Sequence, residues 1–278
     1  MQSPQAHLLP DGRRLHLHHG PIDLILEVFG PARDACYAQA TARFQTVLEE
    51  LVAELPGLRR PLNGTAFQGA TARCMAEAAR RVRSVFVTPM AAVAGAVADE
   101  VLSAALKGHD VPKAYANNGG DIAFHLAPGE DLTAASAAGS IRITASSGVR
   151  GLATSGWQGR SHSLGIADAV TVAAPSAAMA DLAATLIANA VDLPGHPTVS
   201  RRPARILSPD SDLGDRPVTV DVGPLTGAEI AAALSRGADF AKTLADQGLI
   251  AEASLNLQGT TRLVTTPLRQ KAPLCLTS

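Results

Sequence analysis

At 278 residues the chain is long enough to bury a substantial core, as one large domain or two small ones. Acidic and basic residues nearly cancel to a formal net charge of -1, and aromatics make up only 3%. No basic field therefore recruits nucleic acid or anionic lipid, and no aromatic platform stacks bases.

Three cysteines, Cys36, Cys74 and Cys275, lack CxxC spacing and fit reduced thiols better than a disulfide framework. The N-terminal stretch has no apolar core of a secretory signal. No apolar run reaches about 18 residues, because Pro89 interrupts the nearest one and Asp99-Glu100 closes it. The expectation is a cytoplasmic protein with neither a membrane span nor a nucleic-acid partner.

In chain order, residues 14–28 alternate polar and apolar and predict a hairpin turning near Gly20-Pro21. His16 and His18 share one face of its first strand, a spacing metals use, although no third ligand is near in sequence. Apolar positions from Ala40 to Leu55 recur at helical spacing and predict a helix over 33–55, stopped by Pro56-Gly57. A second helix is expected over 69–83, running into a short strand over 85–87. Its Arg80-Arg81-Val82-Arg83 cluster reads as a solvated face or, in the minority reading, a phosphate contact. Pro89 suits the start of a helix reaching Leu106, whose small residues let another backbone or a ligand come close.

Asn117-Asn118-Gly119-Gly120-Asp121 then forms a backbone hinge that residues with side chains would find hard to adopt. It leads into a strand over 122–126. A polar, Ala-rich connection and a strand over 140–145 follow. Residues 151–165 read as a loop dense in glycine, hydroxyls, the single tryptophan and His162. A buried strand over 167–174 is next, and Pro175-Ser176 caps a helix over 177–191.

On that helix Asp181 and Thr185 are i and i+4, with their oxygens about one turn apart on one face. Such a pair can share a hard cation such as Mg²⁺. The rival account is a surface aspartate with the threonine bonded back to a carbonyl. Asp210, Asp212 and Asp215 read as a solvated loop, since the fixed calcium-loop pattern is absent. A strand over 218–222, a helix from Thr226 to about 247 with a break near Gly237, and a final strand with an apolar tail from Leu263 complete the reading.

The order GAVAD (95–99), NNGGDI (117–122), ATSG (153–156), His162 and ADAVTVAAPSAAMADLAAT (167–185) resembles the ApbE-like flavin transferase superfamily, over roughly residues 85 to 192. The resemblance is closest to a short, uncharacterised branch of it. It implies an α+β, T-fold-like arrangement of antiparallel sheets backed by helices. The chain would then be a single unit over 1–278, or two intimately packed halves of about 1–115 and 116–278.

It further implies FAD binding and, with Mg²⁺, transfer of FMN to a threonine of an acceptor protein, or FAD hydrolysis. By the same resemblance Asp181 and Thr185 hold the metal. Asn118, Gly119, Gly120 and Asp121 approach the flavin, and Thr154, Ser155, Gly156 and His162 line the pocket. An acceptor threonine would need a general base, for which His162 or Asp121 are the nearby candidates. Two motifs depart from the family: Val93-Ala94-Gly95 stands where AKG is usual, and His162-Ser163-Leu164-Gly165-Ile166 stands for HIIDP. The alternative reading is a catalytically silent module binding a flavin, a pterin-like ligand or a protein partner. A third is self-association into a homodimer through the small-residue helix.

Overall fold

The fold is seen in a computed structural model that describes residues 3–82, 85–136 and 139–266. Its spine is a nine-stranded sheet. The N-terminal strands are β1 (Gln5–Leu8), β2 (Leu15–His19) and β3 (Ile22–Val28). Helices α1 (Arg33–Leu58), α2 (Ala70–Arg80) and α3 (Val93–Leu106) follow. Strands β4 (Lys113–Asn118) and β5 (Asp121–Leu126) flank the glycine hinge, and β6 (Asp131–Ser136) and β7 (Gly139–Thr144) form a separate hairpin. Next come β8 (Gly151–Ser155), β9 (Ala169–Ala174) and α4 (Ala177–Ala190). A small pair, β10 (Val199–Pro203) and β11 (Pro217–Val222), brackets the single-turn α5 (Ala204–Leu207). Helix α6 (Gly227–Asp246), β12 (Glu252–Leu257) and β13 (Thr260–Thr265) end the described chain.

The sheet runs β1-β2-β3-β4-β5-β8-β9-β12-β13, and every neighbouring pair is antiparallel. The expected α+β class, antiparallel strands backed by helices, is what the chain adopts. The β3–β4 pairing carries the sheet across residue 115 without interruption.

Strand alternation divides the sheet into two faces. Leu24, Leu26, Ala114, Ala116, Ala123, Ala153, Val170 and Val172 join one buried core with α1, α3, α4 and α6. The opposite face carries a smaller cluster, Phe124, Leu126, Ile143, Val149, Leu152 and Ala173, partly roofed by the β6–β7 hairpin. Ala96, Ala98, Ala178 and Ala180 are at most 1% exposed, so α3 and α4 pack almost backbone to backbone. By length and mean hydropathy the helical residues Pro89–Leu106 could cross a membrane despite Asp99 and Glu100, but half of that stretch is buried in this core.

Several expectations are corrected. Helix α1 continues through Pro56 to Leu58, because a proline in the last turn loses one hydrogen bond while Leu58 is wholly buried. Residues 85–87 form no strand; Phe86 instead lies beneath Arg216, 3.3 Å from guanidinium carbon to ring centroid. Helix α2 ends at Arg80, where Glu77 pairs with Arg80 and Arg81 on a solvated face; Arg83 falls outside the described residues, as do Cys275 and the apolar tail.

The Ala-rich connection contains strand β6, and the expected loop at 151–155 is strand β8. Helix α6 does not break at Gly237, where a Cβ would meet Val191 and come 2.8 Å from Leu255. That glycine serves a close helix–sheet approach.

Helix α6 begins at a capping box. Thr226 Oγ1 accepts from Glu229 N at 3.3 Å, and Glu229 Oε2 accepts from Thr226 N at 2.7 Å. Thr226→Ala is expected to cost about 1 kcal/mol, lowering Tm by about 2–4 °C in calorimetry.

Candidate functional site

The Asn117–Asp121 hinge is the β4–β5 turn, with Asn118 paired to Asp121. Gly119 and Gly120 adopt φ of +65° and +113°, values that favour glycine. Asn117 Oδ1 closes the turn by accepting from Gly120 N at 2.8 Å. Asn118 points the other way into the core, where its Nδ2 donates to Ala94 O at 3.1 Å and its Oδ1 accepts from Asp23 N at 3.4 Å. The hinge is thereby fastened to the first turn of α3.

Strand alternation carries Asp121 to the same side as Ala123, toward the helices. Asp181, on α4, reaches the same first turn of α3: its Oδ2 accepts from Gly95 N at 3.0 Å. Asp99, on α3, returns the interaction by accepting from Ala177 N at 3.0 Å and Ala178 N at 2.9 Å. Each helix thus supplies a carboxylate that satisfies free amides at the other's N-terminus. Gly95 lies at the crossing point, where a Cβ would overlap the Ala177 carbonyl.

These contacts alone would lower the carboxyl pKa values, since amides and helix dipoles favour the anion. Burial outweighs them. Asp99 is pushed up to about 7 by burial against the opposing Ala178 and Ala177 amides. Asp121 is also pushed up to about 7 by burial, with the Thr154 amide and the Arg160 charge pulling the other way. Asp181 rises well above the carboxylate range through burial first and then repulsion from Asp121. Asp121 and Asp181, 60 positions apart in sequence, are therefore close enough to titrate as a coupled pair, and ionising both at once is unfavourable. No ion pair engages Asp99, Asp121 or Asp181 among the described residues, yet each keeps some accessible surface. Their carboxyls are thus largely desolvated while staying in part accessible.

Thr185, one turn after Asp181, is half-buried, and its hydroxyl makes no protein hydrogen bond among the described residues. The alternative of a bond back to the Asp181 carbonyl is therefore not realised. Ser155 falls on the helix-facing side of β8 with Ala153. The Thr154 side chain falls on the opposite face, 3.0 Å from Thr171 Oγ1, so only its backbone amide faces Asp121.

Gly156 packs against the Asp168 carbonyl, and Asp168 also accepts from Trp157 Nε1 at 3.0 Å. His162 is engaged elsewhere: its Nε2 lies 2.9 Å from Ser208 Oγ, and no hydrogen bond joins it to Asp121 among the described residues. Among the described residues no three His, Cys, Asp or Glu side chains gather into a ready metal shell.

The family model described as AbpE bacteria matches residues 6–263. The chain belongs to this family.

Among curated relatives, it is similar to UPF0280 protein MJ1526 of Methanocaldococcus jannaschii, 42% identical over 115 residues, which are 37% of this chain and 45% of that protein. A UPF0280 protein of Methanococcus vannielii and UPF0280 protein MmarC7_0482 of Methanococcus maripaludis are each 40% identical over 114 residues, with the same coverage of 37% and 45%. The chain thus spans about half the length of the curated relatives it matches. Among solved structures it is similar to the flavinyl transferase ApbE of Pseudomonas stutzeri, in its apo form. That likeness has a TM-score of 0.45 and 13% identity, and covers 96% of this chain and 97% of the other.

Two residues of the site have no assigned role in the sequence reading. Asp99 is visible there only as the end of GAVAD, and its partner amides belong to a helix 78 and 79 positions away. Arg160, exposed in the turn after Trp157, brings Nη2 to 3.5 Å from Gly119 O and so lies over the hinge. A loop arginine gives no such signal until β8 and β9 fold it back.

Proposed function

We propose that the chain binds a flavin nucleotide, FAD, with Mg²⁺ in the recess between the β4–β5 hinge and the α3–α4 crossing. The observation that carries this reading is the convergence of Asp121 and Asp181 without a basic ion-pair partner, beside two exposed glycines. Carboxylates repelling one another in a partly dehydrated recess gain most from a cation. The donor set fits a hard ion: Asp181 and Thr185 would hold it, with Asp121 contributing charge. Mg²⁺ characteristically keeps waters and takes one or two carboxylates plus substrate phosphates, so an incomplete protein shell suits it. When bound it would neutralise and polarise a pyrophosphate.

Around it, the open Gly120 backbone would let a flat or phosphorylated ligand approach closely, and Arg160, seated against Gly119, adds a positive charge at the rim. Asp121, with its raised pKa, would be suited to accept a proton near neutral pH. His162 would serve there only after leaving Ser208. Transfer of FMN to an acceptor protein's threonine, or hydrolysis of FAD, is the reaction this arrangement favours.

Incubation with FAD and Mg²⁺, followed by chromatography for FMN and AMP, is the test. Turnover is expected, and Asp181→Ala should reduce it at least about 100-fold with far-UV circular dichroism unchanged. Metal-independent turnover, or full activity in Asp181→Ala, would sink the metal assignment.

A second reading is a silent flavin- or pterin-binding module. The reciprocal capping by Asp99 and Asp181 favours it, since both acids then have a structural reason to be present. Tight FAD binding without FMN or AMP would select it.

A further inference from the structure

One edge of the sheet carries a group of imidazoles that the flavin reading leaves unused. Leu15, Leu17 and His19 of β2 are buried, so His16 and His18 project from the opposite, open face. Strand β1, absent from the sequence reading, supplies the third histidine: His7 is the direct cross-strand partner of His16. Their rings stand nearly perpendicular, 87° apart with centroids at 4.8 Å, and His7 Nε2 lies 3.3 Å from His16 Nδ1. On its other side, His16 Nε2 lies 2.6 Å from Asp23 Oδ1. An ionised carboxylate only accepts, so the proton of a neutral His16 sits on Nε2 and its Nδ1 lone pair faces His7.

We propose that His7 and His16 form a binding site for a borderline divalent transition-metal ion, Zn²⁺ being the reference case, with Asp23 fixing His16 from behind. Tetrahedral zinc with Zn–N of about 2.0–2.1 Å holds two ligand nitrogens about 3.3–3.4 Å apart. The two ring nitrogens already stand at 3.3 Å. Without metal, a hydrogen bond from His7 Nε2–H to the His16 Nδ1 lone pair would hold the same two nitrogens together. A carboxylate on the far nitrogen of a ligating imidazole is the usual support of such sites, setting tautomer and raising basicity.

His18, with its ring centroid 6.2 Å from that of His16, stays outside the pair, so the remaining positions fall to water. The site is therefore an exchangeable one on an exposed strand, unlike the oxygen-lined recess at Asp181.

The test is calorimetric titration of the untagged full chain with Zn²⁺ alone, in excess Mg²⁺ so that any oxygen-ligand site is already satisfied. One Zn²⁺ per chain is expected. His7→Ala and His16→Ala should each weaken binding at least tenfold, and Asp23→Asn about tenfold, with circular dichroism unchanged. No Zn²⁺ heat in the parent chain, or binding that persists in the His7→Ala/His16→Ala double variant, overturns the proposal.

Discussion

The ligand-free chain is expected to lose stability as the pH rises from about 5 to about 8, and Mg²⁺ is expected to restore it. Asp99 and Asp121 are raised from 3.8 to about 7 in the folded chain, and Asp181 is raised as well. A carboxyl with a folded pKa above its unfolded value binds its proton more tightly when folded. Unfolding then releases the proton, so stability is fully present below about pH 4 and declines as the pH climbs through the folded pKa.

Acids held low act elsewhere. Asp11 and Glu229, both near 2, lose their contribution only as the pH falls below about 4. Glu252, also raised by burial, acts in the same direction, so the loss above about pH 5 belongs to Asp99, Asp121 and Asp181 together with Glu252.

A tenfold change in proton affinity corresponds to about 1.4 kcal/mol, but the acids retain some solvent and repel one another as a coupled group. Roughly 2–4 kcal/mol in all is the expected loss. A cation bound at 100 times its Kd returns about 2.7 kcal/mol. Urea midpoints across this range, with and without millimolar Mg²⁺, measure both effects. Asp121→Asn should flatten the profile by removing the group that most strongly repels Asp181. Stability that is level or rising over this range would show that the recess holds no excess charge.

How much of this is legible in the sequence depends on whether a feature is local. The periodic apolar positions of α1, the Ser176 cap of α4 and the Gly20-Pro21 hairpin are set by neighbours within a few residues, and each is readable. Asp121 and Asp181 are also readable, one from its glycine hinge and the other as an acid among alanines and leucines.

The errors have a common cause in long-range packing. Gly151 to Ser155 has the composition of a loop, but it is a strand because β5 and β9 flank it and Gly151 admits the N-terminus of α4. Gly237 resembles a helix breaker, but it sits where α6 meets Val191 and Leu255. Adjacency in sequence groups Thr154 with Ser155 and Gly156; once the segment is a strand, alternation sends its side chain to the other face. Asp99 gains its role only when α3 and α4 cross, which no local pattern announces.

That crossing is itself testable through its smallest residue. Gly95→Ala is expected to destabilise the chain by about 3 kcal/mol or more. The added Cβ would overlap the Ala177 carbonyl and come 2.8 Å from Ala178 N. Both obstacles are backbone, at the point where α4 begins, so neither can swing aside as a flexible side chain would. Separating the helices would also stretch Gly95 N to Asp181 and the Asp99 bonds to Ala177 and Ala178, leaving buried carboxylates poorly satisfied.

Tm should therefore fall by about 6–12 °C in calorimetry. Gly227→Ala is the control: its Cβ would meet nothing within 4 Å, so a change of a few tenths of a kcal/mol at most is expected. If Gly95→Ala matched Gly227→Ala in stability, α3 and α4 would not cross as closely as described. Asp121 and Asp181 would then lose the frame that holds them together, because Asp181 reaches the hinge only across that crossing.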